Sequence, residues 1–262
     1  MKIATPISHL FNDKLTGSKI SFNSDCLERR DHSPIGPWEK IELFHTDIQP
    51  IHPISDLEWS YLAKVRLENP NLKLISFHLS SNYKYPSLVD GQFFPNGHCS
   101  SRDELLSTSR KNLQQIKEIF GSQIKLAVEN NNYYPTPAYK HVCEPNFISQ
   151  LVKENEINFL FDIAHAKITC VNSNRSYGKY VDELPLCSLI QVHICRHDLR
   201  SDGLAIDSHK PPEENDFQEV AELLNKKRFN YLTIEYYKST SILIQLLKKF
   251  KNLQDVVNAK FI

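Results

Sequence analysis

The feature that most narrows the possible folds is a repeated strand ending. Five short apolar runs carry an acid or a histidine at or near their C-terminal ends: Ile75–His78, Leu126–Glu129, Asn158–Asp162, Ile190–Ile194 (with His193) and Leu232–Glu235. Side chains alternate across a strand, so each run splits into two faces. One face is bulky and apolar: Ile75/Phe77, Leu126/Val128, Phe159/Phe161, Ile190/Val192/Ile194 and Leu232/Ile234. The other carries a smaller or polar residue and then the charged one: Ser76/His78, Ala127/Glu129, Leu160/Asp162, Gln191/His193 and Thr233/Glu235. An apolar face suits covering helices. A polar ending suits the C-terminal mouth of a barrel, where barrel enzymes build their sites.

Between the runs lie amphipathic stretches at Asp56–Glu68, Arg102–Phe120, Asn146–Lys153, Asp216–Lys226 and Ser241–Lys251. Arg102–Phe120 has a serine before it and Gly121 as its stop; an asparagine cap is expected for Asn146–Lys153. Further runs at Lys2–Ile7, Lys19–Asn23 and Lys40–His45 bring the expected strand count to eight, the number a closed (β/α)8 TIM barrel needs. Residues 1–262 are read as one domain, with Asn82–Ser101 as a long loop that could cover the site. Alternation in Ile41–His45 turns His45 inward with Ile41 and Leu43.

Composition removes several function classes. Lys+Arg and Asp+Glu both number 31, so no net basic field draws the chain to nucleic acid or an anionic membrane. No run approaches the ~18 apolar residues of a membrane span. The opening MKIATPISHLFND reads as a strand rather than a signal peptide. The six cysteines form no C-x-x-C pair, which points to reduced thiols and a cytoplasmic location. With 7 glycines there is neither a G-x-G-x-x-G nor a G-x-x-x-x-G-K loop, which argues against Rossmann and P-loop nucleotide enzymes.

The candidate ligands in chain order are His45, His78, Glu129, Asp162, His165, His193, Asp207, His209 and Glu235. Asp162-x-x-His165 places an acid at a strand end and a histidine in the turn beyond; Asp207-x-His209 has the period that lets both reach one point. Any one of these could be a hydrogen-bonded rim residue or an acid paired with a nearby base. Their recurrence at five strand ends favours a metal site. Nine ligands exceed one ion, so two or three divalent ions are expected, and His/Asp/Glu donors suit Fe, Zn or Mn. Glu129 can bridge two of them. Cys195 lies two residues beyond His193 and reads as a plain buried thiol.

The order Glu, Asp-x-x-His, His, Asp-x-His, Glu resembles the xylose-isomerase-like TIM barrels, over about residues 40–240. Within them the wording is similar to the MbnB/TglH family, in VENNNYY (128–134), EPNFI (144–148), FLFDIAHAKIT (159–169), LPLCSLIQVHICRH (184–197), IDSHKPP (206–212) and TIEYY (233–237). That resemblance implies two or three iron ions and oxygen-dependent modification of a peptide cysteine, with a partner protein presenting the peptide. The central ion would then lie on Glu129, Asp162, His193 and Glu235, with Glu129, His193 and Glu235 as the catalytic set. His45 and His78 would hold a second ion through Glu129, and His165, Asp207 and His209 a third. Asn130, His197 and Tyr237 are expected to contact substrate. Tyr237 stands where that family commonly has a further acid, and its serine-glutamate-histidine segment between His78 and Glu129 is missing here. A small-molecule substrate, a single-metal sugar isomerase or epimerase, an endonuclease IV-like zinc phosphodiesterase and a non-catalytic binding barrel are the alternatives.

Overall fold

A computed structural model describes residues 1–259. Eight parallel strands close into a barrel: β1 (Lys2–Pro6), β2 (Cys26–Arg30), β3 (Ile41–Thr46), β4 (Leu74–Phe77), β7 (Lys125–Glu129), β8 (Asn158–Asp162), β9 (Leu189–Ile194) and β12 (Tyr231–Ile234). β1 closes the ring by pairing with both β2 and β12. Two antiparallel hairpins are added. One is β5 (Ser87–Val89) with β6 (Gln92–Phe94); the other is β10 (Arg196–Leu199) with β11 (Ala205–Lys210). The helices are α1 (Lys14–Asn23), α2 (Asp56–Glu68), α3 (Arg102–Phe120), α4 (Pro145–Glu154), α5 (Ile163–Ser173), α6 (Tyr177–Glu183), α7 (Glu214–Lys226) and α8 (Thr240–Ala259).

The strand faces separate two cores. The large one lies between barrel and helices and takes Ile75, Phe77, Val128, Phe159, Phe161, Val192, Leu232 and Ile234. The small one is inside the barrel and takes one residue from each strand: Ala4, Cys26, Leu43, Leu74, Ala127, Leu160, Ile190 and Tyr231. This apolar plug seals the lower barrel. The polar strand ends therefore sit on a dry floor, where charge interactions are stronger than in water.

Several expectations need correction. Lys19–Asn23 is the end of α1, not a strand; Asp13 caps that helix through Thr16 N. The second strand is CLERR, whose three charged residues hide it from an apolar-run search. Ile190 faces the barrel interior rather than the helices. Across from it, Phe159 pairs with Leu189 and Leu160 with Gln191, so β9 carries one extra residue and the alternation restarts there. The cap of α4 is Glu144 followed by Pro145, not an asparagine. Asn82–Ser101 contains the β5–β6 hairpin. That hairpin is tied to the segment near Tyr139, where the Tyr139 hydroxyl accepts from Phe93 N (2.8 Å) and Thr136 Oγ1 donates to Phe93 O (2.6 Å). As expected, α3 starts at a Ser101–Glu104 capping box and stops at Gly121 (φ 72°).

Candidate metal centre

Glu129 ends β7 buried at the barrel axis. Its Oε2 lies 3.4 Å from His45 Nε2 and 3.3 Å from His78 Nδ1, and its Oε1 lies 3.1 Å from His193 Nδ1. Charge-assisted hydrogen bonds are shorter, at ~2.7–2.9 Å. His193 Nδ1 is also 3.1 Å from Glu235 Oε1, and His209 Nε2 is 3.3 Å from Glu235 Oε2. Glu235 lies just past β12, held to the ladder by its N–H on Ile194 O.

Three of the candidate histidines have one ring nitrogen anchored behind them. His193 Nε2 donates to Glu28 Oε2 (2.9 Å), His45 Nδ1 meets Ser76 Oγ (2.8 Å), and His165 Nδ1 donates to the Asn130 carbonyl (2.9 Å). The opposite nitrogens, His193 Nδ1, His45 Nε2 and His165 Nε2, face the carboxylates. Anchoring of this sort fixes tautomer and ring orientation for a metal ligand.

Asp162 divides its two oxygens. Oδ1 accepts from His165 N (2.7 Å), so the acid that ends β8 caps α5, and His165 belongs to that helix's first turn rather than to a free turn. Oδ2 is buried with no hydrogen-bond partner, and so are Glu129 Oε2 and His193 Nδ1. Buried polar atoms are nearly always satisfied. Two carboxylate oxygens and an imidazole nitrogen, orphaned together, fit a divalent cation. Burial pushes the Asp162 carboxyl up to about 6, with His165 opposing and Glu129 adding to the rise. Burial would also raise Glu129, but His45 and His165 hold it well below the usual carboxylate range. For His193, burial acts downward and the Glu28 carboxylate outweighs it, leaving about 9.

The expected ligand sets are partly redistributed. His45, His78 and Glu129 form one group whose ligand atoms lie within 4.8 Å of one another. Glu129, Asp162 and His193 form a second, while Glu235 groups with His193 and Glu28. Asp207 and His209, on β11, group with Cys195. His165 Nε2 lies 3.6 Å from Asp207 Oδ2. His209 takes a left-handed backbone conformation (φ 46°), uncommon for a residue with a Cβ, which aims its ring at Glu235.

Of the expected substrate contacts, Tyr237 lines a cavity of about 470 Å³ with Arg30, His45, His78 and His209. Its hydroxyl is buried without a partner and its ring is 4.9 Å from that of His209. No residue of Asn82–Ser101 lines this cavity. The Asn130 amide is engaged in both directions on the Asp162 backbone, donating to the carbonyl (2.9 Å) and accepting from the N–H (2.8 Å), so it braces Asp162. His197 lies on β10, with Lys167, Asp216, Arg196 and Asp198 as its charged neighbours.

Sequence reasoning missed Glu28 and Arg30, which share the inward face of β2. Glu28 is fully buried; Oε2 accepts from His193, Gln191 (2.6 Å) and Thr233 (3.2 Å), and Oε1 accepts from Arg30. Arg30 also reaches Glu235. With both oxygens engaged, Glu28 serves as the support behind His193.

A family model described as RiPP precursor modification enzyme MbnB/TglH/ChrH matches residues 55–258. A UPF0276 protein of Acinetobacter baylyi is 22% identical over 158 residues, 60% of this chain and 52% of that protein. A UPF0276 protein of Bordetella pertussis is 27% identical over 104 residues, 38% of this chain and 35% of that one. The matched stretch thus spans about half or less of these curated relatives. Among solved structures, L-ribulose 3-epimerase aligns with a TM-score of 0.62 at 10% identity, covering 99% of this chain and 96% of that one. The 3-keto-D-glucoside 4-epimerase YcjR from E. coli aligns with a TM-score of 0.58 at 13% identity, covering 97% and 99%. Those two likenesses bear on the barrel alone. Because the family model spans most of the chain and includes every candidate ligand except His45, the chain belongs to the MbnB/TglH/ChrH family.

Proposed function

We propose that this protein is a metal-dependent oxidoreductase that modifies a cysteine of a small ribosomally made peptide, using two or three ions, iron by preference, at the barrel mouth. The observation that carries the metal-centre reading is the set of buried, unpartnered ligand atoms on Glu129, Asp162 and His193, backed by histidines anchored from behind. Family membership supports the peptide substrate. When bound, the ions would supply Lewis acidity toward a thiolate and a route for electrons to dioxygen.

The chain's own residues have separable tasks. Glu129 would bridge the His45/His78 position and the His193/Asp162 position, one oxygen toward each. Glu28 accepts from His193 Nε2, so Nδ1 is the nitrogen that would bind an ion in place of its proton. Arg30 neutralises Glu28 and orients Glu235. Tyr237 presents a hydroxyl beside the cavity, where a substrate backbone or side chain could accept from it. The apolar plug below excludes water from the floor.

A single-ion sugar epimerase would leave His45, His78, Asp207 and His209 without a task, although all lie within one connected cluster. The test is elemental analysis of protein purified without oxygen. Two or three irons per chain are expected, with Glu129→Gln losing at least one of them. Unchanged metal content in Glu129→Gln would sink the bridging centre, and one Mn or Co per chain would favour the epimerase.

A further inference from the structure

The donors around Asp207 differ in kind from those around Glu129. Cys195 continues past β9 and is buried. Its Sγ lies 3.7 Å from Asp207 Oδ1. The other Asp207 oxygen is 3.4 Å from His209 Nε2 and 3.6 Å from His165 Nε2. One donor atom from each of Cys195, Asp207 and His209 lies within 4.8 Å of the other two, a spacing that a shared ion could close.

We propose that Cys195 is a thiolate ligand of a transition-metal ion held with Asp207 and His209, so that this position has sulfur, nitrogen and oxygen donors while the Glu129 position has only nitrogen and oxygen. The inference rests on the metal-centre reading above. Binding replaces the thiol proton, which leaves to solvent, with a metal–sulfur bond and involves no change of oxidation state. Sulfur biases the position toward Fe, Zn or Co and away from Mg and Mn. The protein thereby acquires two chemically distinct positions under one cavity.

The full chain, stripped by chelator under anaerobic conditions and titrated with Co²⁺, tests this. A near-ultraviolet sulfur-to-cobalt charge-transfer band is expected in the wild type and should vanish in Cys195→Ser and Cys195→Ala, while the visible ligand-field bands persist. X-ray absorption on the cobalt wild type should show a sulfur neighbour at ~2.3 Å, a result that does not depend on either variant folding. Ligand-field bands without the charge-transfer band, or a charge-transfer band that survives both substitutions, would overturn Cys195 as the ligand and leave the metal centre standing. Failure of the wild type to bind cobalt would overturn the centre and this ligand together.

Discussion

The behaviour of His193 depends on what stands behind it. Glu28 accepts the Nε2 proton in a fully buried position, and Gln191, Thr233 and Arg30 saturate that carboxylate. Replacing Glu28 by Gln removes the charge while leaving much of the shape. Metal affinity should fall ~10–100-fold, as for other supports of ligating histidines, measured by competition against a chelator of known affinity. An unchanged affinity would mean that Glu28 does not set the ring. Asn130→Ala has a different signature. It strips two hydrogen bonds from the buried Asp162 backbone, and each abandoned group costs ~1–3 kcal/mol. A lower denaturation midpoint is expected in the metal-free protein as well, because the brace works without any ion. His52 offers a residue-scale pH test away from the ligands. Burial lowers its pKa, opposed by its bond to the Ser81 carbonyl, so the folded state favours the neutral ring. The unfolded ring takes a proton near pH ~6.5. Stability from this group is therefore present above that pH and declines as pH falls below it, by at most about 1.4 kcal/mol per pH unit. His52→Gln should lose less stability than the wild type between pH 7 and 5, read as the difference between two denaturation series.

At the scale of elements, the junction of β8 and α5 joins folding to the site. Asp162 caps the helix with one oxygen and leaves the other bare, so one residue serves both helix initiation and the ligand set. Asp162→Asn separates the roles, since asparagine caps as well as aspartate. The metal-free protein should keep its helix content and melting temperature, or gain slightly from removing a buried charge, while bound metal drops by about one equivalent. If metal content is unchanged, Oδ2 is not a ligand. The alternation rule made this strand end legible from sequence: Phe159 and Phe161 are in the outer core and Leu160 in the inner one. It failed at β9, where one extra residue turns Ile190 inward without disturbing His193. It also failed at β2, where Glu28, Arg29 and Arg30 leave no apolar run to detect. A buried charged residue looks exposed to any reading of local hydrophobicity, because its partners lie elsewhere in the chain. His193 is 165 residues from Glu28 and Glu235 is 205 residues from Arg30.

Across the whole molecule, the barrel brings Glu28, Glu129, Asp162 and Glu235 together on the apolar plug. Only part of this charge is balanced by Arg30 and the histidines. Metal removal should therefore destabilise the protein, with melting temperature falling on chelation and recovering on reloading in proportion to metal concentration. A melting temperature indifferent to metal would contradict a buried multinuclear centre. No helix among the described residues is long and apolar enough to cross a membrane.

Local sequence determined seven of the eight barrel strands, the direction of the strand-end acids and histidines, and the ring of candidate ligands, because a period of two and an apolar face are written within five or six residues. Tertiary structure alone decided which ligands share a position, why each histidine presents a particular nitrogen, that Asn130 braces Asp162, and that Cys195 stands beside Asp207. These depend on approaches of a few ångströms between groups 12 to 165 residues apart in the chain. Strand register and its local shifts at β2–β3, β8–β9 and β10–β11 set those approaches, and neither has a local sequence signal.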